Sequence, residues 1–264
     1  MDLAESIVET FQRDGVVVLR AVFRPWVERL AAGVDQILLQ PSPLARTYRP
    51  TDGSAPFFQD YCNWQRIESL RDFLFASPAA ELAARLMRSP VARFFHDHTL
   101  VKHAGTSLVT PWHHDAPYYC VTPEQSVSFW MPLDPVPRAV ALECVAGSHR
   151  WRTPGFRPTR FDGSPLYSAG EFDDIPDIDA VRGDLTIHGW AMEPGDAVAF
   201  DFRTIHGAPG NATSAARRVV STRWVGAAAR YIVRGEVGSP PFPNLALADG
   251  APFDAPEFPV LYPR

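Results

Sequence analysis

The chain has 264 residues, 46% hydrophobic and 21% charged, with a formal net charge of −5; this is an ordinary globular composition with enough apolar material for a sizeable core. No basic run interleaved with aromatics is present, which excludes nucleic acid as a partner, and no apolar run approaches the roughly 20 residues of a membrane span. The opening "MDLAESIVETFQRDG" lacks a basic-then-apolar signal profile. Cys62, Cys120 and Cys144 show no metal-ligand spacing, so reduced thiols in a cytoplasmic protein are expected.

Over residues 3–13, Leu3, Ile7, Val8 and Phe11 share one helical face, and Asp14-Gly15 stops the helix. "VVVL" (16–19) reads as a short buried strand. A second helix starts with Pro25 in its first turn and runs to Leu39. "PAAELAARLM" (78–87) is a third helix. After Ser89-Pro90 the chain turns to strand-length runs at 91–108, 126–133, 139–145, 196–205 and 217–225, separated by turns such as "PLDPVP", "EPGD" and "APGN". Helices first and short strands later predict an α+β, mainly β protein whose body is a sandwich or barrel. The 26 prolines, roughly twice the usual share, favour short elements joined by rigid turns. No repeat or linker divides the chain, so residues 1–264 are expected to form a single domain. Residues 152–189, rich in Pro and Gly, are too long for an ordinary connection and are read as an active-site lid, against a plain surface loop.

The stretch "PWHHDAPYY" carries the first chemical motif. Side chains two apart on an extended segment share a face, so His113 and Asp115 converge while His114 looks away. In "GDAVAFDFRTIHGAPGN", His206 is placed at the end of an apolar strand where the chain turns at Gly207. Two imidazoles and one carboxylate can occupy one face of an octahedron and leave the other open, as in non-haem Fe(II) oxygenases. The next strand, "RRVVSTRWVG", alternates Arg217, Val219, Ser221 and Arg223 on one face with Arg218, Val220, Thr222 and Trp224 on the other. An inward arginine there can grip a distal carboxylate through its planar fork.

The pieces "HHD", "FWMPLDPV", "CVAGSHRW", "PGDAVAF", "IHGAPGN" and "RRVVSTRW", with the opening "FQRDGVVVLRAVF", resemble the phytanoyl-CoA dioxygenase family of Fe(II)/2-oxoglutarate-dependent oxygenases. The resemblance implies a double-stranded β-helix (jelly-roll) core at about 91–225 with flanking N-terminal helices. It implies that His113, Asp115 and His206 bind iron, that Arg217 holds the side-chain carboxylate of 2-oxoglutarate, and that Lys102 contributes a cosubstrate or substrate contact. The position two after His206, where relatives often have serine, is Ala208; that contact is expected to be absent in part or supplied elsewhere, with Ser221 the candidate. The implied reaction consumes O2 and 2-oxoglutarate, releases succinate and CO2, and hydroxylates a small metabolite. Asp115 argues against halogenation, in which that ligand position is vacated.

Substrate contacts are expected from Tyr118, Trp130 and Arg223. The aromatic residues Phe57, Phe58, Tyr61 and Trp64, with Tyr119 nearer the metal motif, either line a pocket for an apolar or cationic small molecule or pack as core. The competing readings are a redox-neutral metal-dependent jelly-roll enzyme (isomerase or hydrolase) and a non-catalytic ligand-binding jelly roll. A monomer or homodimer is expected.

Overall fold

The computed structural model describes residues 3–151, 155–158, 172–234 and 238–263. Among the described residues four α-helices, α1 (Glu5–Asp14), α2 (Val27–Leu39), α3 (Glu68–Ala76) and α4 (Ala79–Leu86), accompany twelve strands. The strands are β1 (Val16–Leu19), β2 (Arg46–Tyr48), β3 (Phe57–Tyr61), β4 (Ala92–Lys102), β5 (Thr110–His113), β6 (Ser126–Pro132), β7 (Glu143–Val145), β8 (Ile187–Gly189), β9 (Ala197–Phe200), β10 (His206–Ala208), β11 (Arg217–Val225) and β12 (Val260–Tyr262). They form two antiparallel sheets. The major sheet runs β1-β9-β6-β11-β4-β3-β2, with β12 also pairing with β4; the minor sheet runs β5-β10-β7-β8. This is the double-stranded β-helix, with the helices outside the major sheet. No described helix is long and apolar enough to cross a membrane.

Strand alternation sorts the side chains. On the outer face of the major sheet, Val127, Phe129, Val220 and Trp224 join Leu30 and Phe73 of the helices in one core. Phe94 meets Trp224 edge-on at 5.2 Å, a geometry favoured by the ring quadrupoles. Each such fully buried large side chain contributes roughly 1.5–3 kcal/mol. On the inner face Val16, Trp130, Val198, Phe200 and Val219 pack towards the minor sheet. Arg218, on the outer face, pairs with Asp134 at 2.8 Å and Asp35 of α2 at 3.2 Å.

Several elements differ from expectation. The strand expected over 196–205 ends at Phe200. Asp201 accepts the N–H of Arg203 at 2.8 Å, and the N–H of Thr204 returns to the Asp201 carbonyl at 2.9 Å. That turn carries the chain from the major to the minor sheet, so His206 opens β10 rather than ending a strand. The run 91–108 likewise ends early, β4 stopping at Lys102, and β5 begins only after it at Thr110. β2, β3 and α3 had no signal in the periodicity. Within 152–189, residues 152–154 and 159–171 lie outside the described residues. The rest includes β8, and Phe156 and Ile178 pack with Val145 and Ile205. None of those described residues lines the cavity between the sheets, so the lid reading finds no support in them.

Candidate metal centre and cosubstrate cavity

β5 and β10 are antiparallel neighbours in which His113 and His206 are register partners, so their rings meet at 4.2 Å between centroids. Asp115 follows immediately, but not on an extended strand. It has helical backbone angles and precedes a 3₁₀ turn at Ala116–Tyr118, and that bend swings the carboxylate back towards both rings. His113 Nε2 lies 3.7 Å and His206 Nε2 3.9 Å from Asp115 Oδ1. The ligand atoms of the three residues all lie within 4.8 Å of one another, close enough to share one ion.

Both histidines are prepared as ligands in the same way. His113 Nδ1 donates to the carbonyl of Pro111 at 2.8 Å, and His206 Nδ1 to that of Thr204 at 2.9 Å. With Nδ1 carrying the proton, the Nε2 lone pair is left free. Burial and the neighbouring His113 push His206 down to about 3, so it is neutral at physiological pH. Burial alone would raise Asp115, but Arg223, His206 and His113 more than offset it and hold the carboxyl well below the usual range. Two imidazoles presenting Nε2, with one carboxylate, fit Fe(II) with open coordination positions.

His114 plays a different part. Its Nε2 accepts the N–H of Phe156 at 2.8 Å, and burial pushes it down to about 4. It tethers residues 155–158 to the end of β5 and takes no part in the triad.

The triad opens on a cavity of about 750 Å³ between the sheets. Arg217 and Lys102 are cross-strand partners on β11 and β4, and both line this cavity. They are 6% and 2% exposed, and among the described residues neither has a carboxylate partner. Lys102 Nζ donates to the carbonyls of Pro209 at 2.9 Å and Ala208 at 3.3 Å, while Arg217 donates to the carbonyl of Val140. Burial and Arg217 push Lys102 down to about 6; burial pushes Arg217 down to about 10. Two buried basic groups with no carboxylate partner among the described residues offer an acidic group a charge-assisted contact, and the distal carboxylate of 2-oxoglutarate is of the right kind.

Tyr118 and Trp130 line the cavity, Tyr118 with its ring 6.2 Å from that of His113. Arg223 also lines it, yet its bonds go to protein: Nε donates to Tyr119 Oη at 2.9 Å and Nη2 to Asp115 Oδ2 at 3.4 Å. Ser221 is fully buried between them, is not part of the cavity wall, and its Oγ has no hydrogen-bond partner. The aromatic cluster splits by alternation: Phe57 and Tyr61 face the cavity, while Phe58 and Trp64 join the helix-side core.

Sequence reasoning missed a polar set on β2, β3 and β4. Gln59 Nε2 donates to Tyr48 Oη at 3.1 Å, its Oε1 meets His98 Nε2 at 3.1 Å, and Tyr61 stacks on His98 at 3.9 Å. All four line the cavity. Alternation back from Lys102 along "HTLVK" would have placed His98 on the inward face. Gly238 and Ser239, also in the wall, carry no such signal.

Solved structures share this fold. The "non-heme alpha ketoglutarate dependent epimerase SnoN from nogalamycin biosynthesis" superposes with a TM-score of 0.76 at 22% identity, covering 97% of this chain and 98% of its own. The carbocyclase SnoK from the same biosynthesis gives 0.77 at 19%, covering 98% and 97%. EctD from S. alaskensis, with 2-oxoglutarate and 5-hydroxyectoine bound, gives 0.68 at 18%, covering 95% and 85%. No curated protein matches the chain significantly in sequence. The family-level match is extensive: residues 11–219 align with phytanoyl-CoA dioxygenase (PhyH), and the chain belongs to that family of iron- and 2-oxoglutarate-dependent oxygenases.

Proposed function

We propose that the chain hydroxylates a small molecule, using Fe(II), 2-oxoglutarate and O2 and releasing succinate and CO2. The observation that carries this reading is the placement of the triad and of the uncompensated Lys102–Arg217 pair on one cavity. His113 and His206 would hold the metal through Nε2, and Asp115 through its carboxylate. Bound iron supplies the activation of dioxygen, coupled to oxidative decarboxylation of 2-oxoglutarate.

The chain's own residues bind, orient and exclude water. Arg217 and Lys102 fix the distal carboxylate of the cosubstrate, which sets its reactive end towards the triad. Leu142, Phe200 and Val219 in the wall keep that end dry, which strengthens every charge interaction within it. Pro111 and Thr204 carbonyls lock both imidazole tautomers. Arg223 holds the second oxygen of Asp115. An intact carboxylate at Asp115 favours hydroxylation over halogenation.

SnoN is described as an epimerase and SnoK as a carbocyclase, so the outcome must be read from the product. Under argon, Fe(II) plus 2-oxoglutarate should give a visible metal-to-ligand charge-transfer band. In air, a metabolite screen should yield one succinate per product gaining one oxygen. Succinate with a product of unchanged mass means epimerisation, the two oxidising equivalents being consumed by an added reductant such as ascorbate, and loss of two hydrogens means cyclisation or desaturation. No band and no succinate would leave a redox-neutral or ligand-binding jelly roll.

A further inference from the structure

The cavity is basic in an acidic protein. Its lining includes Arg46, Arg49, Lys102, Arg217 and Arg223, against one acid, Asp115. Arg223 is held by Asp115 and Tyr119, and Lys102 with Arg217 lies at the end given to 2-oxoglutarate. Arg46 and Arg49 remain. Both are exposed yet line the cavity, which places them on its rim. Among the described residues neither pairs with a carboxylate; Arg46 Nη1 reaches only the carbonyls of Ala45 at 2.8 Å and Pro43 at 3.4 Å.

Beneath this rim is a flat aromatic wall. β2 pairs with β3 so that Arg46 faces Gln59 and Tyr48 faces Phe57. Tyr48 stacks on Phe57 at 6.0 Å and 28°, and Tyr61 on His98 at 3.9 Å and 20°. Gln59 ties the two stacks through Tyr48 Oη and His98, so the wall is preorganised. A cavity of about 750 Å³ lies in the upper range for ligand pockets of roughly 300–1,000 Å³ and leaves room beside a five-carbon dicarboxylate.

We propose that the substrate is an anionic, ring-bearing small molecule, its ring against the Tyr48–Phe57–Tyr61 wall and its oxyanion at Arg46 and Arg49. This rests on the oxygenase reading of the same cavity. Aromatic faces supply area and stacking, and guanidinium forks supply directional, charge-assisted contacts to oxyanions. The net cationic lining rejects the cationic substrates that an aromatic pocket otherwise accommodates. The competing role for an arginine on an edge strand and another just after it is protection against edge-to-edge pairing, which needs no ligand.

The test uses three probes of one ring and different charge: 2-naphthoate, 2-naphthamide and 2-naphthylmethylammonium. Each is titrated by calorimetry into the full chain loaded anaerobically with Fe(II) and 2-oxoglutarate, so the cosubstrate end is filled. 2-Naphthoate should bind at least about fivefold tighter than the amide and the ammonium weakest, a preference that shrinks as salt screens the exposed rim. Arg46→Gln/Arg49→Gln should erase the preference with an unchanged melting temperature, and each single variant should carry part of the loss. Charge-indifferent binding, no saturable binding of any probe, or a preference that survives the double variant would overturn the proposal. Absence of the charge-transfer band sinks the oxygenase reading instead. The comparison of wild type with the double variant then still decides the charge preference.

Discussion

Lys102 and Arg217 are direct cross-strand partners at the paired ends of β4 and β11, two buried basic side chains side by side with no carboxylate partner among the described residues. In the free protein burial and the neighbouring Arg217 hold Lys102 well below its ordinary value, and an entering dianion favours its charged form. Arg217→Ala should therefore raise the 2-oxoglutarate requirement by at least about tenfold, since a charge-assisted, two-pronged contact is worth roughly 1.5–3 kcal/mol. Arg218→Ala should stay near wild type, because its partners are Asp134 and Asp35 outside the sheet. Anaerobic titration of the charge-transfer band separates the two. A large defect in Arg218→Ala with a normal Arg217→Ala would reverse the assignment.

The same pair makes cosubstrate binding depend on pH. Lys102 is pushed down to about 6 in the free protein, and a bound carboxylate raises it again. Below pH 6 the ammonium is already charged and affinity is flat. Above it, binding must take up a proton, so affinity falls by up to about tenfold per pH unit until the pKa of the bound state is reached. Lys102→Met should bind more weakly and lose this slope. An identical slope in Lys102→Met would assign the proton to another group.

The adjacent histidines should separate cleanly. His113→Ala removes a triad ligand and should abolish stoichiometric iron. His114→Ala should retain iron and lose stability, because the Phe156 N–H it holds at 2.8 Å is left unpaired, at a cost of about 1–3 kcal/mol. Metal analysis and thermal melts on both variants check this. Iron loss in His114→Ala alone would show that the wrong histidine has been chosen.

Arg223 and Tyr119 act on the metal through Asp115. Arg223→Leu leaves Asp115 without its cationic partner and should weaken iron retention against a chelator by about 10–100-fold, the usual cost of losing such support. Tyr119→Phe, which removes the acceptor of Arg223 Nε and the hydroxyl's own hydrogen bond to Asp115 but keeps the guanidinium beside the carboxylate, should lie between it and wild type. Retention equal to wild type in both would leave Arg223 a substrate contact.

Gly15 links the first strand to the metal site. Its φ of +72° suits glycine, and an added Cβ would lie 2.4 Å from His149 Nδ1 and 2.6 Å from Thr204 Oγ1. Thr204 donates to the Gly15 carbonyl at 2.7 Å while its own carbonyl orients His206. Gly15→Ala should destabilise by at least about 1 kcal/mol and also weaken iron retention. Lowered stability with unaltered retention would confine the effect to the turn.

Some of this protein was written in local order. The inner face of β11 was legible because alternation over "RRVVSTRW" is unbroken from Arg217 to Arg223, the register shifting only after that. The pairing of His113 with Asp115 was also anticipated, though the reason was incomplete: a 3₁₀ bend, not strand alternation alone, returns the carboxylate. Local pattern placed the Gly15 stop and the three helices it marked because caps and periodicity act within a turn or two. Only the tertiary structure decided that Asp201 breaks the run before His206, since that turn is fixed by Gly15 from the far end of the chain. Arg223 reaches Asp115 and Tyr119 while still lining the cavity, and Ser221 fell outside the wall. Both depend on how far apart the two sheets pack, a distance that no residue spacing encodes. The Tyr48–Gln59–His98 wall likewise exists only because β2, β3 and β4 pair. Short strands with no period of their own acquire a face only when a neighbour supplies it.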